Sequence, residues 1–152
     1  MDIVNLLSRL APVGLLLVAT TVVAQTSDDP ATRVEIRRTA HGVPHIKAQD
    51  LRAAAYALAW VQLEDHGPRV AIGILRARGE MGRWFGRDSM ESDFFAQRDR
   101  RLAVEKYALL DQETRDVYDG FAAGVNRYIE VNPAEFPPDF APKFTGYDVA
   151  AR

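Results

Sequence analysis

One turn constrains this chain more than any other stretch: Gly42-Val43-Pro44, set between an alternating segment and a long alanine-rich run that closes on Asp65. Gly42 tolerates a positive φ, while Pro44 fixes its own φ and drives Val43 extended, so the chain turns and re-extends through His45 to Lys47. Before the turn, Val34 and Ile36 alternate with Glu35 and Arg37, the period of a half-buried strand. The pattern predicts two short strands, or one bent strand, with one face seeking a core.

Helices follow. Asp50 is placed as the N-cap of a helix from Leu51, on which Ala54, Leu58, Val61 and Asp65 share an apolar face. A carboxylate on that face needs partners. Asp65 then either accepts from nearby backbone N–H groups or Arg69 at a helix break, or serves as a catalytic acid or metal ligand. Gly67 and Pro68 stand in the order expected where one helix stops and the next starts, and the second carries Val70, Ile74 and Ala77 on one face. Arg69, Arg76 and Arg83 recur at helical spacing, as a solvated face with ion pairs or as an anion-binding stripe. Trp84 and Phe85, bracketed by Gly82 and Gly86, read as core anchors or as a ligand platform.

From Asp93 a further helix sets Phe95, Leu102 and Leu109 seven residues apart, beside Ala103, Tyr107 and Leu110. Asp111 caps another helix that runs to about Val131, with Val117, Phe121, Gly124 and Tyr128 on its apolar face. Gly120 and Gly124 lie one turn apart on it, where a second backbone can come close. Pro133 ends that helix, and the prolines clustered from there to Pro142 predict an extended, irregular tail.

The first residues carry an address. Arg9 precedes an apolar run from Leu10 to Val23, and Val22 and Ala24 suit a signal peptidase. The run is shorter than the roughly 20 apolar residues of a bilayer span. We therefore expect a signal peptide over 1–24, a mature start at Gln25, a polar leader over 25–33, a structured region over 34–131 and a Pro-rich tail over 132–152. The mature protein is expected in the periplasm or medium, with no stable membrane insertion after cleavage.

Charge and residue types narrow the chemistry. A net charge of −2 without long blocks of one sign offers nucleic acid no footprint. The absence of cysteine excludes disulfides, thiolate metal sites and a cysteine nucleophile. There is no G-x-S-x-G, and Ser89 and Ser92 fall in a polar turn. His41 and His45 have i, i+4 spacing, but Gly42 and Pro44 forbid the helix that would align them on a metal. No catalytic residue, metal ligand or cofactor is assigned to this chain.

The ordered set of Val34 to Arg37, Gly42 to Ile46 with Ala48, Glu64-Asp65, Arg78-Gly79 and Trp84 to Gly86 resembles the penicillin and acyl-homoserine-lactone acylases, which are N-terminal nucleophile amide hydrolases. Gly124, Val125, Asn126 and Tyr128 match that family's Gly-Val-Asn-x-Tyr. Gly42, Val43, Pro44, His45, Asp65 and Gly86 are the motif residues, expected in structural roles. The resemblance implies an α+β fold: a mostly helical α-chain fragment with an N-terminal strand pair, part of an αββα sandwich when complete. It also implies an exported precursor that cuts itself into an α chain and a β chain whose new N-terminal serine attacks the amide, with its own α-amino group as base. On this reading the chain is a truncated α region, silent without its β-chain partner. The implied substrates are N-acyl amides of penicillin, acyl-homoserine-lactone or lipopeptide type. Phe144 to Val149 resembles the approach to a helix that carries acyl-pocket residues and, in some members, a calcium-ligating glutamate, so calcium is expected only in a complete enzyme. His66, Gly67 and Pro68 depart from the family's usual continuation after Asp65. The alternative is a freestanding exported helical binding module. A lone α region would leave its strand pair and the faces at Leu58, Ile74 and Phe121 uncovered.

Overall fold

The structure, a computed structural model, describes residues 28–152. The expected signal peptide and the start of the polar leader lie outside the described residues. Asp29 accepts from the Ala31 N–H at 3.0 Å and starts a 3-10 turn over Pro30–Arg33 that leads into the first strand.

The Gly-Pro turn makes two strands, not one bent strand. β1 (Val34–Arg38) and β2 (Pro44–Ala48) are antiparallel, with Ile36 opposite Ile46 and Arg38 opposite Pro44. Gly42 has φ 79°, and Thr39 closes the turn by accepting from Gly42 N at 2.9 Å and donating its own N–H to the Val43 carbonyl at 3.0 Å. Glu35, Arg37, His45 and Lys47 stand exposed on the outer face; Val34, Ile36, Ile46 and Ala48 are partly covered on the other.

Asp50 caps α1 (Leu51–His66) through the Ala53 N–H at 2.8 Å, and Gly67, at φ 61°, ends it. Pro68, expected at the first position of the second helix, sits instead at the N-cap of α2 (Arg69–Arg78), which starts one residue later. α3 (Met81–Phe85) and α4 (Met90–Tyr107) follow. Asp111 then caps α5 (Gln112–Val131), accepting from the Thr114 N–H at 2.7 Å and its hydroxyl at 3.0 Å, which holds the carboxyl below its ordinary value.

α1 is the central rod, touched by the hairpin, α2 and α5. The expected stripe of Ala54, Leu58, Val61 and Asp65 is out of phase: Leu58 is 43% exposed, while Ala53, Tyr56, Ala57, Val61 and Leu63 are buried. Being covered from several sides, an alanine-rich helix carries no single apolar stripe to read. The closest approach is to α5. A Cβ on Gly120 would overlap the Arg52 carbonyl oxygen, and one on Gly124 would overlap the Tyr56 carbonyl and lie 2.9 Å from the Ala59 Cβ, so bare backbone is required there. Leu63, Ile74, Leu75 and Val125 fill the centre.

Two further expectations change. The proline-rich tail is irregular, yet Phe136, Phe140 and Phe144 are buried in the core, and the chain ends in a short helix, α6 (Gly146–Ala150). Phe136 stacks on Phe140 at 5.5 Å, and Trp84 meets Phe140 edge-on at 5.0 Å. Trp84 thus packs on the core, whereas Phe85 is exposed. The Phe95, Leu102 and Leu109 series faces solvent, while Ile74 is fully buried and Phe121 is partly buried against the core. The largest group of exposed apolar side chains is therefore on α4 and just past its end, while Val43, Leu51, Leu58 and Phe85 are exposed elsewhere. Arg69, Arg76 and Arg83 are exposed, as a solvated face requires.

Candidate functional site

Polar side chains at three junctions fix how these elements meet. At the first, Arg38 reaches from the end of β1 to Glu64 and Asp65 at the end of α1, 2.8 Å from each. Its other nitrogen donates to the Gly42 carbonyl at 2.8 Å, and Trp60 Nε1 donates to Glu64 at 2.9 Å. The two carboxylates raise the Arg38 pKa, Glu64 foremost and then Asp65. Asp65 is thus paired with Arg38 rather than Arg69, and its carboxylate is exposed rather than at the end of a buried face. Gly42, Pro44 and Asp65 of the motif meet here through Arg38. Val43 is exposed at the turn tip, and His45 points outward beside Glu35, Arg37 and Lys47.

The second junction belongs to Asp93. Its nearly buried carboxylate accepts from Met81 N at 2.9 Å and Gly82 N at 2.6 Å, satisfying the free donors at the start of α3. Gln97 donates to the Gly79 carbonyl at 2.9 Å, and Gly79, at φ 76°, lies so close to Gln97 and the Asp93 carbonyl that a side chain would not fit. Gly86, at φ 91°, closes α3, its N–H donating to the Gly82 carbonyl.

The third junction fastens the tail. Asn126 clamps Phe144 with both ends of its amide, donating to the carbonyl and accepting from the N–H at 2.8 Å each. Asp148 is fully buried and pairs with Arg100 at 2.6 Å while accepting from the Thr145 N–H at 2.9 Å and hydroxyl at 3.0 Å. Tyr107 donates to Asp119 at 3.1 Å, and Tyr128 to Glu135 at 3.0 Å. Burial, reinforced by the bonded carboxylate, pushes Tyr128 up to about 12 and raises Tyr107 as well.

These junctions fix how the elements meet. Ser92 donates to the Ser89 carbonyl at 2.7 Å, and His41, His45 and His66 are exposed. Among the described residues no serine hydrogen-bonds a histidine, and no three His, Asp or Glu side chains converge as a metal site. No described helix is long and apolar enough to cross a membrane. Sequence reading passed over Asp93, Arg100 and Asp148. Thr145-x-x-Asp148 is a capping-box pattern that was open to reading; Asp93 and Arg100 act on partners distant in sequence and carry no local signal.

A strand hairpin on a helical body is a fold this chain shares with a penicillin acylase chain. The penicillin G acylase of Alcaligenes faecalis shares this fold with a TM-score of 0.65 over 78% of this chain and 68% of that one, at 24% identity. The chain belongs to the penicillin amidase family, whose model matches residues 33–151. It is 34% identical over 108 residues to the acyl-homoserine lactone acylase PvdQ of Pseudomonas fluorescens (strain Pf0-1), covering 64% of this chain and 14% of that protein. It is 31% identical over 101 residues to the penicillin acylase 2 proenzyme of Pseudomonas sp. (strain SE83), covering 63% and 13%. The chain thus spans about a seventh of the length of the curated relatives it matches.

Proposed function

We propose that this chain supplies the N-terminal α region of an exported acylase that hydrolyses N-acyl amides, with the nucleophile on polypeptide outside it. One observation carries the reading: the family match runs through residues 33–151, yet among the described residues no serine hydroxyl is hydrogen-bonded to a histidine or a carboxylate, and Ser92 donates only to the Ser89 carbonyl. The relatives support it by proportion. This chain covers 68% of the solved penicillin G acylase chain but only 14% of the Pseudomonas fluorescens protein, so the solved chain is several-fold shorter than that relative. A unit of this size is therefore compatible with a separate chain, and one relative is itself described as a proenzyme.

The nucleophilic serine and its α-amino base belong to the β chain that the resemblance implies. This chain contributes the helical wall and the ordered approach to the acyl pocket at Phe144 to Val149. The substrate is an N-acyl amide of the kind named for the relatives, an acyl-homoserine lactone, a penicillin or aculeacin A. Export follows from the signal pattern, with the mature protein starting at Gln25 in the periplasm or medium. Calcium, implied only for the complete enzyme, would take ligands outside the described residues, among which no three His, Asp or Glu side chains converge. Sequencing the encoding DNA past the Arg152 codon tests the reading. An open frame that continues into a Gly-Ser-type junction and a long second region is expected; a genomic stop at that point would contradict it.

A further inference from the structure

α4 is docked the wrong way round for an isolated domain. Asp93, Arg100 and Tyr107 lie seven residues apart on its inner face and make the polar contacts to α3, Asp148 and Asp119. Phe95 and Leu102 lie on its outer side, 52% and 47% exposed, and Leu109, two residues past the end of the helix, is 83% exposed. Phe94, 71% exposed, meets Phe95 edge-on at 5.6 Å and widens the patch toward Met90. An amphipathic helix ordinarily buries its apolar face, and a contiguous exposed apolar patch marks an interaction surface. The two stripes have the same period, so no rotation of α4 is needed to explain both: each meets a different partner.

We infer that the outer face of α4 is the seat of acylase polypeptide lying outside this chain, of the β-chain kind, which covers Phe95, Leu102 and Leu109. This rests on the proposed acylase reading. Its occupant is chosen on length and on charge. About six-sevenths of each curated relative lies beyond the region matched here, and about a third of the solved neighbour's own chain lies outside the match. The same face carries Glu91, Arg98, Glu105 and Lys106, a rim of mixed sign that suits a protein partner. An anionic lipid surface would call for a basic rim.

The lack of cysteine gives a direct test. Phe95→Cys, Leu102→Cys and Leu109→Cys each place a lone thiol on an exposed position that the fold does not need. The probe is the remaining polypeptide of the Pseudomonas fluorescens relative, made without the region matched here and co-produced with each variant. Maleimide labelling of all three thiols is expected to slow by about tenfold or more in the co-purified complex, as for the dry centre of an interface. A complex that forms and hydrolyses acyl amides while the thiols label at the free rate overturns the inference and leaves the acylase reading standing. Failure to form any complex or activity overturns both. Protection in the chain alone, with a doubled solution mass, assigns the face to a second copy and overturns the choice of occupant.

Discussion

Asp148 shows how much a single buried carboxylate holds here. It has no exposed surface, and Arg100 together with two donors of Thr145 accounts for its charge. Asp148→Ala leaves the partly exposed guanidinium without its partner and the α6 cap undone, and should cost about 2–3 kcal/mol of stability by urea unfolding. Asp65→Asn should cost less than about 1 kcal/mol in the same measurement, because that carboxylate is exposed and Arg38 keeps Glu64. Tyr128 sets an alkaline limit. Its folded value of about 12 lies above the ordinary 10.0, so its contribution is complete below pH 10 and is lost as pH rises toward 12. Unfolding at a series of alkaline pH values should show a shallower loss for Tyr128→Phe than for the natural chain. The caps at Asp50 and Asp111 were legible in the sequence because a cap bonds its own next turn. Asp93, Arg38 and Asp65 were not, because their partners are set by tertiary packing.

Among the elements, the α1 and α5 crossing is the tightest. Gly124→Ala should destabilise by about 1–3 kcal/mol, since the new methyl meets the Tyr56 carbonyl rather than a yielding side chain; thermal unfolding against the natural chain reads it. The two glycines announced this contact in the sequence, and so did the strand alternation around Gly42. α4 did not, for a physical reason. Two series at the same spacing run along it, Phe95/Leu102, continued by Leu109 just past its end, and Asp93/Arg100/Tyr107, and hydrophobicity selects the first as the core. The fold buries the second, because its polar groups all find partners within the chain. A pattern rule reports which face is apolar, and only the whole assembly decides which face is inside. The tail is the converse case: its prolines forbid regular structure, while Phe136, Phe140 and Phe144 still anchor it.

At the scale of the whole molecule, a core centred on Leu63, Ile74 and Val125 coexists with an aromatic surface on α4, and among the described residues no serine hydroxyl is hydrogen-bonded to a histidine or a carboxylate. Those features agree with one another if the chain is a supporting part of an acylase. The measurement closest to that claim is hydrolysis of a chromogenic N-acyl amide by residues 25–152 alone, and again after co-production with the rest of the Pseudomonas fluorescens relative. The account predicts no turnover by the chain alone and turnover in the combined preparation; turnover by the isolated chain would contradict it.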